Sequence, residues 1–361
     1  MTETNASAMS CEILLHPQEP KYAESIRKFQ GCPTIAVTRG GRIYMGWYSG
    51  GRCEPHMENY NLLVYSDDGG KTFSAPLLVI PSSIPRLVQA LDIQLWCDPA
   101  GVLWVYWVQN NTKVYRDGMP GYVIDGYVFD DTVHAEWCVT CADPDAAEPV
   151  FSAPRYVDVG FLRCKPTVLS GGRWINFNYD QTNDRYGYSI SDDGGKTFTR
   201  HYGSRKIPTS FDEAMAYERR DGSIRMLARC HAGYLAESIS RDGGMTWEET
   251  HPSGITAADT RFFIARTPTG RVLLIHNDHP ASRTNMTLSL SEDDGATWKY
   301  RRCIDTRANL SYPDADFHDG KIYLTYDRER IGAKEILFLC CTEAEIMNPD
   351  APLLPTVISK P

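Results

Sequence analysis

Short apolar runs alternate with glycine-containing turns along most of this chain. Six of these turns end in a glycine that is followed by a run rich in Ile, Leu, Val, Trp and Tyr; the six glycines are Gly41, Gly101, Gly172, Gly222, Gly270 and Gly320. Their spacings are 60, 71, 50, 48 and 50 residues. Apolar runs bounded by such turns are typical of β-strands, and each unit has room for about four of them. The repeat predicts a ring of six four-stranded sheets, which is a six-bladed β-propeller.

A second pattern, Ser-x-Asp-x-Gly-x-Thr followed by Phe or Trp, occurs four times. It begins at Ser66, Ser191, Ser240 and Ser291, and the last two intervals are 49 and 51 residues. We expect each copy to form a tight hairpin turn in which the Asp accepts backbone N–H groups, the Gly takes a positive φ and the aromatic side chain packs into the core. The first interval is 125 residues, so at least one repeat between the first two copies lacks this turn.

The predicted fold is all-β, a six-bladed propeller with four-stranded antiparallel blades. A pair of β-sandwiches is the alternative. Little of the chain has helical periodicity, and residues 343–347 are expected to form one short helical turn. Because no Pro-rich or Ser/Gly-rich linker interrupts the repeats, we expect residues 1–361 to form a single propeller domain with repeat units at roughly 29–350.

Composition narrows the classes of partner and location. The net charge is −9 and no Lys/Arg run occurs, which disfavours nucleic acid as a partner. No stretch approaches 18 apolar residues, so we expect no membrane span. The segment 1–7 has neither a basic nor an apolar region of a signal peptide, which favours a cytoplasmic protein.

No cofactor and no metal site are expected from the sequence. The eleven cysteines are scattered, and Cys138-x-x-Cys141 lacks the second ligand pair of a zinc site. The acidic residues Asp130-Asp131 and Asp314-x-Asp316 are too sparse for a calcium loop.

The four Ser/Asp turns, at this period in a six-bladed chain, are the Asp-boxes of the sialidase (neuraminidase) superfamily, which this chain resembles from about Phe29 to Asp327. In that family two or three arginines bind the substrate carboxylate, a Tyr is the nucleophile, a Glu activates it and an Asp protonates the leaving group. A neutral phenol avoids the repulsion that a carboxylate nucleophile would meet from the carboxylate on the anomeric carbon. The resemblance implies a retaining, exo-acting glycoside hydrolase whose partner is a carbohydrate with a terminal acidic sugar.

The second half of the chain matches the site residues of this family in order and at similar spacing. The match implies that Tyr312 is the nucleophile and Glu213 is the base that activates it. It also implies that Arg229 and Arg283 bind the substrate carboxylate. Asp327 stands where the family has an acidic residue at the end of the following strand.

The first half departs from the family pattern at two positions. Gly31 stands where the family has an arginine of the carboxylate-binding group, although Pro33 keeps the register. Losing such a charge costs about 2–5 kcal/mol of binding, and Arg52 or Arg163 is the candidate replacement. The general acid position holds Glu58 instead of Asp, which can serve if burial raises its pKa.

Two further acidic residues, Asp92 and Asp314, are predicted to contact substrate, and Asp92 is predicted to face the axis. Two alternatives to a sialidase remain open. The loss of arginine at Gly31 favours a related enzyme that acts on a different sugar, as a hydrolase or a uronate lyase. A non-catalytic glycan-binding propeller is the other alternative, because a fold does not determine a function.

Overall fold

The computed structural model describes residues 12–361, except for the side chains of 130–133. The predicted six-bladed propeller is confirmed: six antiparallel sheets surround a common axis, and each contains four main strands. In every blade the four main strands run outward in chain order, so the first of these four is the innermost. The segment 1–7 and the Asp130-Asp131 side chains, on which the targeting and calcium predictions depend, lie outside the described residues.

The strands differ in length between blades. Those of blade 1 are β1 (Leu14–Leu15, on the outer edge), β2 (Phe29–Val37), β3 (Ile43–Gly50), β4 (Tyr60–Ser66) and β5 (Leu78–Pro81). Those of blade 2 are β6 (Val88–Cys97), β7 (Leu103–Val114), β8 (Tyr122–Ile124), β9 (Tyr127–Cys141) and β10 (Arg155–Val159). Those of blade 3 are β11 (Phe161–Leu162), β12 (Thr167–Val168), β13 (Trp174–Asn176), β14 (Asn178–Tyr179), β15 (Arg185–Ser191) and β16 (Thr199–Arg205), with β11 and β14 as a separate pair.

The remaining blades follow the simple four-strand plan. Those of blade 4 are β17 (Met215–Glu218), β18 (Ile224–Ala228), β19 (Tyr234–Ser240) and β20 (His251–Thr256). Those of blade 5 are β21 (Phe263–Arg266), β22 (Val272–Asn277), β23 (Met286–Ser291) and β24 (Tyr300–Asp305). Those of blade 6 are β25 (Leu310–His318), β26 (Lys321–Arg328), β27 (Glu335–Thr342) and β28 (Thr356–Ser359). The expected helical turn is confirmed as α1 (Glu343–Met347), which has a Thr342 capping box.

Both sequence repeats occupy fixed places in a blade. The six repeat glycines lie in the turn between the first and second strands, with φ from 70° to 92°. The Asp-boxes link the third and fourth strands of blades 1, 3, 4 and 5. In the first box, Asp68 Oδ1 accepts hydrogen bonds from the N–H groups of Lys71 and Thr72 at 2.9 and 3.0 Å. The box is therefore a hairpin closed by its own carboxylate, as predicted.

The apolar core lies between neighbouring blades, where the faces of two sheets meet. The aromatic residue of each box contributes to it: Phe73 packs edge-on against Phe338 of blade 6, with ring centroids 5.9 Å apart. Trp247 contacts Phe177 and Tyr188 of the preceding blade in the same way. Within residues 12–361, no helix is long and apolar enough to cross a membrane.

The ring closes where blade 1 meets blade 6, and among residues 12–361 no sheet contains strands of both blades. Hydrogen bonds join the two blades instead. Gln30 Nε2 donates to Ser359 Oγ at 3.0 Å, and Ser359 Oγ donates to Glu24 Oε1 at 2.6 Å. The Gln30 N–H also donates to the carbonyl of Arg330 at 3.0 Å.

Candidate active site

At one end of the propeller axis, four side chains point towards one another because the backbone that carries them departs from regular strand geometry. Cys32, Asp92 and Tyr312 each lie at a register shift in the innermost strand of their blade, with φ of 56°, 59° and 55°. Glu213 precedes the innermost strand of blade 4 and has φ of 41°. A bulge re-aims a side chain, and a left-handed backbone costs a non-glycine residue about 1–3 kcal/mol. Such conformations are concentrated at functional sites, which makes this end of the axis the candidate site.

A buried tyrosine–glutamate pair lies at the centre of this group. The Tyr312 hydroxyl donates to Glu213 Oε1 at 2.6 Å. Arg229 Nη1 donates to Glu213 Oε2 at 2.9 Å and lies 3.4 Å from the Tyr312 hydroxyl. Only 6% of Tyr312 and 1% of Glu213 is exposed. The structure thus brings together three residues that the sequence separates by up to 99 positions.

Electrostatics keep this pair as a neutral phenol and a carboxylate anion. Burial raises the pKa of Tyr312 to about 12, and the negative charge of Glu213 adds to this effect. Burial also acts to raise the pKa of Glu213, but Arg229 and Arg163 outweigh it and hold that pKa below its usual range. The arrangement can therefore move the phenol proton to Glu213 when the tyrosine oxygen attacks an electrophile.

Several arginines surround the Tyr312 ring in addition to Arg229. Their guanidinium carbons lie 4.3 to 5.9 Å from the ring centroid and belong to Arg163, Arg261, Arg283 and Arg330. Arg261 is committed to the fold, because it donates to the main-chain carbonyls of residues 33, 163, 312 and 313. Arg283 donates through Nη2 to the carbonyl of Asp259 at 3.0 Å.

Arg330 lies against Gly31, the position that lacks the expected arginine. A Cβ atom on Gly31 would lie 2.6 Å from Arg330 Cγ and 2.8 Å from its Nε. Arg330 Nε donates to Asp327 Oδ2 at 3.1 Å, and its Nη1 donates to Glu54 Oε2 at 2.8 Å. Its side chain therefore fills the space beside Gly31 and reaches the Tyr312 ring.

A pair of carboxyl groups lies next to these arginines. Oxygens of Glu54 and Asp92 and the Cys32 sulfur lie within 4.8 Å of one another. Burial raises the pKa of Asp92 to about 6 against the opposing charge of Arg163, with which it forms an ion pair. Asp92 can therefore hold a proton near neutral pH.

The same three residues have the ligand types of a metal site, but their partners disfavour a cation there. Burial raises the pKa of the Cys32 thiol to about 12, so it is neutral. Arginine side chains already pair with both carboxyl groups, Arg163 with Asp92 and Arg330 with Glu54. We therefore interpret the group as two neighbouring acids and not as a ligand set.

The predicted general acid and one predicted arginine lie elsewhere. The Glu58 side chain is 64% exposed, and its ion-pair contact is with His56 at 3.9 Å. Arg52 is 57% exposed and pairs with Asp125 at 2.9 Å. Within the described part of the chain, neither contacts Tyr312, Glu213 or the arginines around them. Arg163, the other predicted replacement, is 4% exposed and lies 3.6 Å from Glu213 Oε1.

The two remaining acidic predictions are both buried near the axis. Asp327 Oδ2 accepts the Cys32 N–H at 2.7 Å, in addition to Arg330. Asp314 Oδ2 accepts from Thr34 Oγ1 at 2.7 Å and from Lys165 Nζ at 3.0 Å. Asp314 is therefore engaged in joining the innermost strands of different blades.

Sequence reasoning missed Arg261, Arg330 and Glu54. Arg261 stands just before the first strand of blade 5, and a charged residue at the start of an innermost strand is a signal that the sequence shows. Arg330 lies in the turn after β26, and its place beside Gly31 follows only from ring closure. A cavity of about 690 Å³ opens among the glycine turns at the other end of the blades and contains none of the candidate catalytic residues.

Comparison with known proteins agrees with this architecture. The BNR repeat-like domain model matches residues 133–324, and the BNR/Asp-box repeat matches residues 64–75. The chain is 28% identical over 182 residues to the anhydrosialidase of Macrobdella decora. This match covers 45% of the chain but only 24% of that relative, so the chain spans about a quarter of its length.

Three solved structures show the same fold at low identity. The Hadza microbial sialidase Hz136 has a TM-score of 0.66 at 17% identity, with 84% of this chain and 64% of that one covered. The intramolecular trans-sialidase from Ruminococcus gnavus has 0.67 at 16%, with 88% and 95% covered. The leech intramolecular trans-sialidase has 0.68 at 15%, with 94% and 71% covered. With a matching family model over more than half of its length, the chain belongs to the BNR repeat-like domain family and is a propeller of the sialidase superfamily.

Proposed function

We propose that this protein is an exo-acting glycoside hydrolase of the sialidase type that releases a terminal acidic sugar with retention of configuration. The observation that carries the proposal is the 2.6 Å hydrogen bond between the Tyr312 hydroxyl and Glu213, enclosed by arginines. A buried phenol paired with a carboxylate is an activated nucleophile. The arginines around it suit a substrate with a carboxylate next to the reacting carbon.

In the first step the Tyr312 oxygen bonds to the anomeric carbon, and its proton passes to Glu213. Arg229 lies within hydrogen-bonding distance of both reacting groups, so it stabilises negative charge on either oxygen. The glycosidic oxygen leaves with a proton from an acid. In the second step water displaces Tyr312, with the acid now serving as base and Glu213 returning the proton to the phenol.

We assign the role of acid to Asp92 in place of Glu58. Glu58 is largely exposed and does not contact the group around Tyr312 within the described residues. Asp92 is buried, and its pKa of about 6 leaves part of it protonated near neutral pH. A general acid is most efficient when its pKa is close to the operating pH.

Arg229 and Arg283 are proposed to bind the carboxylate of the substrate. Among the residues that the structure describes, Arg229 Nη2 and Arg283 Nη1 donate no hydrogen bond, so both remain available to a ligand. Arg229 is oriented by Asp259, whose Oδ1 accepts its Nε at 2.5 Å. Arginine suits this role because its planar group matches a carboxylate in geometry.

The test is release of 4-methylumbelliferone from its α-sialoside by the wild type and by Tyr312→Phe. We expect turnover by the wild type and a loss of about 10³-fold or more in the variant, because a covalent route is removed. Tyr326→Phe is the matched control, since its hydroxyl is also buried and donates to a carboxylate, Asp305, at 3.0 Å. NMR of the first product should show the retained anomer; the inverted anomer would exclude Tyr312 as nucleophile.

Two other reactions remain candidates for the same residues. Position 31 holds glycine where the family has an arginine, which favours a uronate or another sugar as substrate. If the enzyme is a uronate lyase, its product is unsaturated and absorbs in the ultraviolet. The matched protein of Macrobdella decora is named an anhydrosialidase, which favours formation of an anhydro sugar as product. The product NMR separates these outcomes from hydrolysis. If the protein binds a sugar but turns over no acidic glycoside, it is a glycan-binding propeller without catalytic activity.

A further inference from the structure

Gly31 is a glycine for lack of space and not for its backbone conformation. It is not among the glycines with positive φ, so a residue with a side chain could adopt its backbone. The obstacle is Arg330, whose Cγ, Cδ and Nε would all lie within 2.8 Å of a Cβ atom at position 31. A contact below 3.0 Å forces one of the two groups to move. The two positions therefore share one space, which a single long side chain can occupy.

Residues of both blade 1 and blade 6 hold Arg330 in that space. Its carbonyl accepts the N–H of Gln30, which fixes its main chain beside Gly31. Asp327 and Glu54 bind its Nε and Nη1. Its Nη2 has only a 3.5 Å contact with Ser311 Oγ among the described residues, so this nitrogen can still donate to a ligand. The guanidinium carbon lies 4.3 Å from the Tyr312 ring centroid.

We propose that Arg330 is the third carboxylate-binding arginine of the site, supplied by the turn after β26 in place of a side chain at position 31. Arg229, Arg283 and Arg330 then approach the Tyr312 ring from blades 4, 5 and 6. The pairing with Asp327 and Glu54 orients Arg330 and offsets the cost of its burial. The glycine at position 31 is the complement of this arrangement, because it leaves the space that Arg330 fills.

The inference rests on the proposed function and narrows it, because a third guanidinium selects substrates that carry a carboxylate. It sets aside Arg52 and Arg163 as replacements. Arg52 pairs with Asp125 away from the site, and Arg163 is committed to Asp92. The substrate class is a sugar acid whose carboxylate is ionised at neutral pH.

The experiment moves the arginine from one side of the shared space to the other. The variants are Arg330→Ala, Gly31→Arg and the double variant that carries both changes. Arg330→Lys is added because it keeps a charge beside Asp327 while losing the planar fork. The control is Arg328→Ala, which removes the arginine that ends β26, two residues before Arg330, and that pairs with Glu335 outside the site. Melting curves of all variants report folding.

Binding is measured by calorimetry with N-acetylneuraminic acid, glucuronic acid and galacturonic acid, each beside its methyl ester. We expect the wild type to prefer at least one acid to its ester, and Arg330→Ala to reduce that preference about 30-fold or more. Arg330→Lys should keep only part of it. Gly31→Arg alone should lower the melting temperature, and the double variant should regain both stability and preference, while Arg328→Ala should match the wild type.

The outcomes separate this inference from the proposed function. Preference for the acid that depends on Arg330, with no turnover of any glycoside, would support the inference while refuting the hydrolase. Turnover that depends on Tyr312, with an acid preference unchanged in Arg330→Ala and Arg330→Lys, would overturn the inference and leave the hydrolase standing. Equal binding of acid and ester by the wild type, or no binding of either, would also overturn it.

Discussion

Replacing Asp92 by Asn tests the assignment of the general acid through the leaving group. Asn has nearly the same shape as Asp but cannot donate a carboxyl proton. A lactose leaving group needs protonation as it departs, whereas methylumbelliferone departs as a stabilised anion and needs little. Loss of a general acid typically costs about 10²–10⁴-fold in rate. We expect that loss in Asp92→Asn with a lactose-linked substrate, and less than about tenfold with the methylumbelliferyl glycoside.

The pH dependence follows from the same carboxyl group. The acid must be protonated, so kcat/KM for the lactose-linked substrate should fall as pH rises through the Asp92 pKa of about 6. At pH 7 about a tenth of the groups remain protonated, and each further unit lowers the rate about tenfold. The acidic limb should lie below the ordinary range of a Glu, because Glu213 must be ionised and its pKa is lowered. The Asp92→Asn variant should lose the alkaline limb.

The control is Glu54→Gln, which alters the carboxyl group next to Asp92. Glu54 pairs with Arg330, so we expect this variant to bind substrate more weakly without distinguishing the two leaving groups. The assignment of Asp92 is refuted if Asp92→Asn slows both substrates equally while circular dichroism shows it folded. It is also refuted if Glu54→Gln is the variant that distinguishes them.

Three further predictions concern other acidic residues of the chain. Burial raises the pKa of Glu136 to about 8, so it is protonated in the folded protein but ionised when unfolded, and its contribution to stability decreases by about 1.4 kcal/mol for each pH unit between roughly 4.5 and 8. Glu136→Gln should remove that decrease. Measured by urea unfolding, the free energy of unfolding should fall from pH 5 to pH 7 by about 3 kcal/mol more in the wild type than in the variant. Asp314→Asn should lower the free energy of unfolding by about 3 kcal/mol, because Lys165 loses its buried partner. The KM of the folded variant should stay unchanged. A raised KM with normal stability would instead place Asp314 in substrate binding. Glu58→Gln should change kcat/KM less than twofold, since its side chain is mainly in solvent, and a loss above tenfold would restore it as the acid.

The fold was predictable because each blade repeats local signals. The six turn glycines adopt the positive φ that their pattern indicates, and four Asp-boxes close hairpins with a carboxylate two residues after the serine. These features depend on neighbours within about eight residues, which a sequence shows directly. In the blades without a box, the glycine turn is the repeated signal that remains.

The candidate site was predictable only where its residues belong to recognisable segments. Tyr312, Glu213 and Arg229 lie in such segments, and the structure brings them into contact. The family pattern places the general acid at Glu58, but in the structure the same loop directs Glu54 to the site instead. Spacing cannot decide which side of a loop faces the axis.

The closure of the ring has a topological consequence. Each sheet is built from one continuous segment of the described chain, and no strand is shared between blades. The chain could therefore begin at a different blade and still form the same sheets. New ends could be opened at the exposed residues 84–86 between blades 1 and 2, and a peptide link added between blades 1 and 6, without breaking a sheet of the described residues. We expect such a circular permutant to fold with a single melting transition and to keep Arg330 beside Gly31, because a peptide link would then reinforce the contact between blades 1 and 6.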